Sequence, residues 1–579
     1  MGLKKVDWLK PEVWSRIFGY SMWVLAGAAL FTCHRMITSK STENNILSDS
    51  TKIANGKAGM AVTLDTTAAA WLALHDHATD LTISKVKALY QRTGNETVWL
   101  GDRAPTELYF ELVSMLRDVY RLGLLGTDYD LRKVEDDIKS IYANEDGTEA
   151  LTAAEIEISK TFFKFTTHLT HGRIKWPGHE KKIWKVPKSG ASDEDVERLA
   201  DLENAEDFMD MISALKPKAE QYIRLEKAYQ HYLHLDSINK GTFDKIKITK
   251  KIKPGVEDIA IPSIRTRIQQ LGGNDKQTVA DDSLVYDNAL VTAVKTFQER
   301  HGLRPDGIIG AKTVEYLNRN FRQRAAILAL NMERLRWMPD EFPDHYITVN
   351  IPEYKLRVFT NGKEEFDMKV VVGNPETPTP VFSDMLERVV FSPTWTIPKS
   401  IIEGEIIPRL QENPDYYAER NYIFYKKESE IDPLDERWDS AEVDPRDYVI
   451  VQQPGADNAL GQIKFVMPNN LSIYLHDTPQ KRLFKNYYRA YSHGCIRVEQ
   501  PVKLAAYLLT DHADWNEKKI RQAMHGDRPT NVFLKDHYEV HLIYQTAWVD
   551  DDGNTHFRDD IYGHDRHQLW QLYPEGMGI

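Results

Sequence analysis

Two stretches near the C-terminal end organise this chain: Tyr474-Leu475-His476-Asp477-Thr478-Pro479 and Ser492-His493-Gly494-Cys495-Ile496-Arg497. A thiol reacts as its thiolate, which a nearby imidazole or positive charge favours. His476, His493 and Arg497 are candidates for that setting around Cys495. Gly494 permits a tight turn, and the backbone N–H groups of such a turn can stabilise an oxyanion. The two stretches therefore predict a cysteine nucleophile with a base and oxyanion donors.

The flanking residues place this thiol on a loop between rigid elements. Ile473 and Leu475 alternate with Tyr474 and His476 as in a half-buried strand, so Tyr474 and His476 are expected on one face. Pro501 suits the first position of a helix after the loop. A loop held between a strand and a helix is a suitable place for an exposed nucleophile.

Further upstream, a pattern of period two predicts a β-rich unit. From Tyr346 the apolar residues Ile347 and Val349 alternate with other residues, and Asn361-Gly362 predicts a hairpin turn. Strands this close together predict an antiparallel sheet. A helix at 322–338 leads into this unit.

Residues 398–450 interrupt the strand pattern. A helix is predicted from Ile401 to Leu410. An aromatic cluster follows it, formed by Tyr416, Tyr417, Tyr422, Phe424 and Tyr425. An irregular stretch of this length inside a β domain is typically functional or mobile. A surface insertion without function is the alternative.

The region before the β-rich unit is predicted to be helical. Residues 254–320 predict three short helices, and Asp306-Gly307 supplies the turn before the third. The apolar stripes of the first two helices are formed by Ile264, Ile268, Leu271, Leu290, Val294 and Phe297. Residues 81–250 are also mainly helical by pattern, and Thr152 with Glu155 predicts a capping box at a helix start.

Residues 1–35 predict a membrane anchor. Basic residues precede an apolar run from Ile17 to Cys33, which is short for a membrane span. The positive charges place the N-terminus in the cytoplasm and the rest outside. A cleaved signal peptide and a lipoprotein signal at Cys33 are the alternatives. Residues 36–80 predict a polar linker, and His75-Asp76-His77 within it predicts a solvated helix face rather than a metal site, since no third ligand is apparent.

Length and composition bound the remaining possibilities. A chain of 579 residues is too long for one core and predicts several domains. A formal charge of −12 without a basic patch argues against nucleic-acid binding. Cys33 and Cys495 are the only cysteines, so the exported part cannot form an internal disulfide. No His-Glu-x-x-His motif and no phosphate-cradling glycine loop occurs, so neither a metal nor another cofactor is implied.

His476 followed by Ser-His-Gly-Cys-Ile-Arg at 492–497 resembles the active-site motif of the L,D-transpeptidases, whose catalytic domain is called YkuD-type. These enzymes cross-link or modify bacterial peptidoglycan. The order of elements over most of residues 85–565 resembles their large periplasmic branch, the YcbB-like proteins. The motifs Ala-Val-Lys-x-Phe-Gln and Asp-Gly-x-Ile-Gly at 254–320 resemble a peptidoglycan-binding domain, with a helical spacer that binds nothing as the alternative.

The resemblance implies a multidomain α+β architecture. Its parts would be an anchor at 1–35, a linker at 36–80, a helical scaffold domain at 81–250, a three-helix peptidoglycan-binding-like domain at 254–320, a β-rich YkuD-type catalytic sandwich at 322–565 with a lid at 398–450, and a C-terminal tail at 566–579.

The resemblance also implies a two-step acyl transfer. Cys495 would attack the carbonyl of the third stem residue, a diamino acid, and expel the terminal D-alanine. The side-chain amine of a second diamino acid would then take the acyl group, forming a 3-3 cross-link in cell wall biogenesis. His476 would donate and accept protons, the N–H groups of Gly494 and Cys495 would form the oxyanion hole, and His493 would support it. Residues expected to bind substrate are Arg497, Tyr474 and Trp395, with a structural ion pair as the alternative for Arg497.

The same resemblance implies a protein anchored in the inner membrane, with its catalytic part in the periplasm. Its expected partners are peptidoglycan stem peptides, and candidate protein partners are glycan synthases and carboxypeptidases. Two other functions stay open. A thiol hydrolase would use water as the acceptor and act as an L,D-carboxypeptidase. A wall-binding scaffold would carry an inert thiol.

Overall fold

The computed structural model describes residues 61–63 and 81–574, with gaps at 145–146, 175–192, 203, 240–243, 272–282, 340, 418–419 and 440–442. This part of the chain forms two compact units. Residues 61–63, 81–114, 132–162 and 196–208 form the first unit, and residues 115–131, 163–195 and 209–574 form the second, apart from the gaps. The predicted anchor at 1–35 and the His75-Asp76-His77 stretch lie outside the described residues.

The N-terminal region is largely helical, as the sequence predicts. Its described helices are α1 (Leu81–Arg92), α2 (Glu107–Arg117), α3 (Leu131–Asn144), α4 (Thr148–His171), α5 (Glu194–Ala200) and α6 (Phe208–Leu215). Strand β1 (Ala61–Thr63) pairs antiparallel with β2 (Glu96–Gly101) in the first unit. Part of the predicted linker at 36–80 is therefore integrated into a sheet. Trp99 anchors the core of this unit, with its ring centroid 5.3 Å from that of Phe162.

The predicted capping box of Thr152 and Glu155 is wrong. Helix α4 already begins at Thr148, so both residues lie inside it. The buried carboxylate of Glu155 instead accepts hydrogen bonds from the backbone N–H groups of Val98 and Leu100, at 2.5 and 2.9 Å. Strand β2 presents N–H groups that need acceptors, and a carboxylate from a neighbouring helix satisfies them.

The second unit contains the three helices predicted at 254–320. These are α8 (Ile261–Leu271), α9 (Asn288–Arg300) and α10 (Ala311–Leu317), which share an apolar core with α7 (Glu220–Ile238) and α11 (Phe321–Leu335). The predicted stripe residues Ile264, Leu290 and Val294 are fully buried in it. Helix α7 contributes Tyr222 and Leu225 to this core. The last long helix of the region predicted as a scaffold domain at 81–250 therefore packs with the helices that follow it.

A mixed β-sheet forms the main body of the C-terminal half. Its nine strands are β3 (His345–Asn350), β4 (Lys355–Thr360), β5 (Lys363–Gly373), β6 (Phe382–Phe391), β11 (Ile463–Val466), β12 (Leu475–His476), β13 (Ala490–Ser492), β14 (Ile496–Val498) and β15 (Thr530–Ile543). They are hydrogen-bonded in the order β13-β5-β14-β12-β11-β6-β15-β3-β4. Because β5 also pairs with β4, eight of the nine strands close a ring around one apolar core.

This sheet differs from the predicted antiparallel sandwich in two ways. Three pairings are parallel, namely β15 with β3, β12 with β14 and β13 with β5. The eleven-residue strand β5 also joins what would otherwise be separate sheets, because its first part pairs with β4 and its last residues pair with β14 and β13. The predicted hairpin at Asn361-Gly362 is confirmed, since both residues have positive φ and connect β4 to β5.

The insertion at 398–450 is a small folded body. Its sheet has the order β7-β10-β8-β9, with β7 (Trp395–Thr396), β8 (Tyr422–Lys426), β9 (Ser429–Ile431) and β10 (Tyr448–Gln452). The predicted helix is present as α12 (Lys399–Ile401), a π-helical turn at Ile402–Ile406 and α13 (Ile407–Glu412). Ile402, Leu410 and Phe424 belong to a separate apolar cluster. The insertion therefore has a core of its own.

The predicted tail at 566–579 begins inside a helix, and residues 575–579 lie outside the described residues. The sheet is followed by α14 (Pro501–Leu508), α15 (Glu517–Ala523), the hairpin of β16 (Ala547–Val549) and β17 (Thr555–Phe557), and α16 (His564–Leu572). In α16, Asp565 and Gln568 each accept a 2.7 Å hydrogen bond from the buried guanidinium of Arg334. The helix is held because that buried charge requires partners.

None of the helices between residues 81 and 574 that the structure describes is both long enough and apolar enough to cross a membrane.

A buried ion pair at the end of α11 yields a stability prediction. Arg336 and Glu333 are both fully buried, 3.0 Å apart, and Glu333 also accepts from the backbone N–H of Ile174 at 2.8 Å. Substituting Glu333→Ala leaves the Arg336 charge buried and uncompensated, which costs about 3–5 kcal/mol. Urea unfolding followed by circular dichroism measures the loss.

The matched control is Glu517→Ala, which breaks an exposed pair between Glu517 and Arg521. Solvent screens that pair, so unfolding should change little. Equal effects of the two substitutions would contradict the assigned cost of burial.

Candidate active site

The parallel pairing of β12 with β14 builds the site. Leu475 lies opposite Ile496, and His476 opposite Arg497. The amide of Ile496 donates to the carbonyl of Tyr474 at 3.1 Å. Cys495 immediately precedes β14, so this register brings the loop bearing the thiol to the strand that ends at His476. The predicted order of strand, loop and thiol is therefore present.

The turn before the thiol requires a glycine. Gly494 has φ of +106°, and a Cβ there would lie 3.3 Å from the Ile473 side chain. The hydroxyl of Thr379 donates to the Gly494 carbonyl at 2.7 Å, and the hydroxyl of Ser492 donates to the Cys495 carbonyl at 2.5 Å. These bonds hold the carbonyl groups of the turn and leave its N–H groups free.

The amides of Gly494 and Cys495 are the predicted oxyanion donors. Within the part of the chain that the structure describes, neither N–H donates a hydrogen bond. Two adjacent uncommitted N–H groups beside a thiol can receive an oxygen atom that gains negative charge.

The Cys495 thiol is more strongly desolvated by burial than the sequence suggested. Burial raises the pKa of the Cys495 thiol, while Tyr474, through its backbone and side chain, and the cations Lys464 and Arg497 act to lower it. The thiol donates a 3.6 Å hydrogen bond to the carbonyl of Ser472. The expected electropositive setting is therefore present but does not outweigh desolvation, and the resting form is the neutral thiol.

Lys464 is a site residue that the sequence analysis missed. It lies on β11 in register with His476, and its ammonium group lies 3.8 Å from the centroid of the Tyr474 ring. Burial lowers its pKa, and the nearby Cys495 counteracts that effect. The alternation of buried Ile463 and Phe465 around Lys464 in β11 could have indicated that this lysine shares a face with the site.

His476 is held as a neutral imidazole. Its Nδ1 lies 2.5 Å from the carbonyl oxygen of Asp477, and because a carbonyl only accepts, Nδ1 carries the proton. Burial, and next the positive charge of Arg497, lower the pKa of His476 to about 3. Hydrogen bonding to the backbone of Asp477 and Leu460 acts in the opposite direction. At neutral pH the ring can therefore accept a proton at Nε2. Between residues 81 and 574 as described, no hydrogen bond joins it to Cys495.

Asp477 supports this arrangement through its buried carboxylate, a second role not foreseen from the sequence. The carboxylate accepts from the backbone N–H groups of Gln462 and Thr478 at 3.0 and 2.7 Å, and from the ammonium group of Lys481. It thereby joins the end of β12 to the loop before β11. The carbonyl that orients His476 is fixed as a result.

His493 faces the insertion. Its Nε2 lies 2.7 Å from a carboxylate oxygen of Glu405, in the π-helical turn, and both side chains are about half exposed. The loop that carries Cys495 is therefore connected to the insertion by a polar contact. No feature of the sequence marks Glu405 as its partner.

The remaining predicted residues lie at the same place. The Tyr474 hydroxyl interacts with the Cys495 thiol and with the Trp395 indole, and burial raises the pKa of that hydroxyl. Trp395 also packs on the apolar cluster of the insertion. Arg497 donates to the Gln480 side chain at 2.9 Å, while its buried Nε has no partner within the described part of the chain. Tyr474 thus connects the thiol with Trp395, while Arg497 lies in register with His476.

Comparisons with known proteins indicate which families the chain resembles. Residues 344–528 match the family model described as the L,D-transpeptidase catalytic domain, YkuD. Residues 84–228 match a scaffold domain, and residues 260–317 match the model described as "Putative peptidoglycan binding domain". These matches confirm the resemblance to the YkuD-type L,D-transpeptidases.

One curated protein from Haemophilus influenzae, named "Putative L,D-transpeptidase", is 38% identical over 240 residues, which are 41% of this chain and 48% of that protein. The match thus spans about half the length of that relative. Two solved structures are also similar in part. An L,D-transpeptidase from Mycobacterium smegmatis is 12% identical, covers 34% of this chain and 58% of its own, and has a TM-score of 0.17. L,D-transpeptidase 3 from Mycobacterium tuberculosis is 15% identical, with 35% and 61% coverage and a TM-score of 0.18.

The turn at Gly494 leads to a prediction. Gly494→Ala forces a Cβ into a left-handed conformation and against Ile473, a strain that costs about 1–3 kcal/mol. The thermal unfolding midpoint should fall. Gly404→Ala is the control, because its backbone is not left-handed and no atom lies within 4 Å of the added Cβ. A midpoint unchanged in Gly494→Ala would contradict the requirement for glycine.

The contact of Lys464 leads to a second prediction. Removing its charge by Lys464→Gln removes one of the groups that lower the thiol pKa, so the midpoint of Cys495 alkylation should move to higher pH. The rate of iodoacetamide labelling between pH 6 and 10 measures it.

Lys503→Gln provides the control, since Lys503 also contacts an aromatic ring, Phe366, at 4.3 Å. If both variants titrate like the parent protein, Lys464 does not act on the thiol.

Proposed function

We propose, from the resemblance of residues 344–528 to the L,D-transpeptidase catalytic domain, that this chain is a peptidoglycan L,D-transpeptidase with Cys495 as its nucleophile. The observation that carries the proposal is that the pairing of β12 with β14 brings together three groups. They are a partly exposed thiol at Cys495, a neutral imidazole at His476, and two uncommitted N–H groups at Gly494 and Cys495. Acyl transfer requires these three parts.

The first step acylates the enzyme. The pKa of the thiol is raised and that of His476 is lowered, so the proton stays on sulfur until the substrate carbonyl arrives. As the C–S bond forms, Nε2 of His476 takes the thiol proton, and the carbonyl oxygen becomes an oxyanion facing the N–H groups of Gly494 and Cys495. The C–N bond to the terminal D-alanine then breaks, and the imidazolium gives its proton to the leaving amine.

The second step transfers the acyl group. The side-chain amine of a diamino acid from another stem attacks the thioester and passes a proton to His476. The new C–N bond forms, the C–S bond breaks, and the departing sulfur recovers the proton from the imidazolium. The product is a 3-3 cross-link, and no external energy source is needed because the first acyl bond supplies the second.

The insertion at 398–450 acts as a lid in this proposal. It contacts the site directly through Glu405 on His493, and its apolar cluster packs on Trp395, which lies beside Tyr474. Holding the donor stem under a folded body excludes water from the thioester and favours an amine acceptor over hydrolysis. Arg497, with its buried unpaired Nε, would bind a carboxylate of the stem.

We also propose that the chain acts in the periplasm from an inner-membrane anchor at 1–35, with glycan synthases and carboxypeptidases as candidate partners. The support is the basic and apolar pattern of that segment. The region at 260–317, which matches a peptidoglycan-binding model, would hold the protein on its polymeric substrate.

The test is mass spectrometry of products formed from a disaccharide tetrapeptide by the full chain purified in detergent. A dimer cross-linked between two third-position residues is expected, and Cys495→Ala should reduce it by at least about a thousandfold. An acyl-enzyme mass on Cys495 should precede the dimer. Tripeptide without dimer would show that water is the acceptor and make the chain a hydrolase. A folded protein with neither product nor adduct would contradict the proposal and favour a scaffold.

A further inference from the structure

The segment between the two site stretches has an unusual charge. Residues 479–498 contain five Lys or Arg residues and no Asp or Glu, in a chain whose formal charge is −12. Lys481 is paired with Asp477. Arg482 and Lys485 are exposed and form no ion pair with any residue that the structure describes. Two unpaired positive charges therefore lie between the two site stretches along the chain.

Three tyrosines in the same segment are exposed. The exposed fractions are 51% for Tyr487, 46% for Tyr488 and 40% for Tyr491. Large aromatic side chains this close together on a surface indicate a binding function, because leaving them in water is unfavourable. We call Arg482, Lys485, Tyr487, Tyr488 and Tyr491 the basic-aromatic strip.

The strip is rigid although its side chains face solvent. Arg489 is buried and donates to the carbonyl groups of Val370, Asn486 and Tyr354 at 3.1, 2.6 and 3.0 Å. Phe484 is buried in the same segment. The rings of Tyr488 and Tyr491 meet edge to face, with centroids 5.5 Å apart. A preorganised surface binds without having to order itself first.

The strip ends at Tyr491, four residues before Cys495 along the chain. In β13 the side chains alternate, so Tyr491 is exposed while Ala490 and Ser492 are buried. Ser492 then holds the carbonyl of Cys495 at 2.5 Å. A ligand lying on Tyr491 would therefore contact the strand that runs into the turn carrying the nucleophile.

We propose that the basic-aromatic strip binds a peptidoglycan strand, with the sugar rings on Tyr487, Tyr488 and Tyr491 and the stem carboxylates at Arg482 and Lys485. The site is separate from the peptidoglycan-binding match at 260–317. The faces of the pyranose rings are apolar and flat, as aromatic faces are, and the stem peptides carry negative charge that complements two unpaired cations. The inference rests on the proposed function for its choice of ligand, and it assigns the polymer a path to Cys495.

The test uses the full chain in detergent with Cys495→Ala as the parent, so binding is measured without turnover. Retention on insoluble peptidoglycan gives an apparent Kd for the parent, for Arg482→Gln with Lys485→Gln, and for Tyr487→Ala with Tyr491→Ala. Each double variant should raise the apparent Kd by about tenfold. The binding of the charge variant should depend less on salt than that of the parent, because exposed charges are screened.

The matched control combines Tyr120→Ala with Lys518→Gln, since Tyr120 is 46% exposed and Lys518 is exposed, and neither belongs to the strip. It should bind like the parent. Apparent Kd values within twofold of the parent for both strip variants would overturn the proposal.

A second measurement detects ligand on the strip itself, independently of any binding by residues 260–317. Soluble peptidoglycan fragments should slow nitration of Tyr487 and Tyr491 by tetranitromethane, but not that of Tyr120, as judged by peptide mass spectrometry. Equal nitration with and without fragments also overturns the proposal. Protection in a chain that forms no cross-link would retain the strip as a wall-binding site and reject only the proposed transpeptidase.

Discussion

The parallel register of β12 with β14 is the constraint on which the rest of the site depends. It sets His476 beside Arg497 and puts Cys495 at the start of β14, although the histidine and the cysteine are far apart along the chain. The pairing is short, so neighbouring contacts secure it. Asp477 ties the end of β12 to the loop before β11, and Thr379 and Ser492 hold the carbonyl groups of the turn at Gly494. A slip of one residue would reverse which side chains face the core.

Burial and charge act against each other at the thiol. Desolvation raises the pKa of Cys495 and lowers that of His476, so both groups are neutral at rest. Lys464 and Arg497 oppose the first effect and reinforce the second, because positive charge favours a thiolate and disfavours an imidazolium. The arrangement suits a mechanism in which the proton moves from Cys495 to His476 during attack on the substrate. It does not suit a preformed ion pair between a thiolate and an imidazolium. It also keeps the thiol unreactive while no substrate is bound.

Two surfaces adjoin the loop that carries the thiol. The insertion contacts this loop through Glu405, and the basic-aromatic strip precedes it along the chain, with Tyr491 exposed on β13. The first is a folded body with its own core, suited to covering a bound stem. The second is an open, preorganised surface, suited to a polymer. An enzyme acting on a cross-linked network would need both a closed place for the reacting bond and an open place for the strand.

Local pattern was enough to predict the elements that carry the site. The alternation around His476, the hairpin at Asn361-Gly362 and the helices at 254–320 follow from periodicity and turn chemistry, which are properties of neighbouring residues. The thiol, its glycine and the histidine were recognisable because their residue types and spacing form a motif. The capping box at Thr152 was wrong, because Glu155 lies inside α4 and binds partners distant in sequence. Distant partners likewise hold α16, which no local pattern indicated.

Only the tertiary structure decided which groups surround the thiol. Lys464, Glu405 and the carbonyl of Asp477 reach the site through strand register and through the packing of the insertion, and no short pattern encodes these contacts. The closure of the sheet through β5 likewise depends on pairings between distant strands. The sequence by itself determined the reacting groups, since their chemistry belongs to single residues. The structure decided their protonation, because burial and the positions of neighbouring charges exist only after folding.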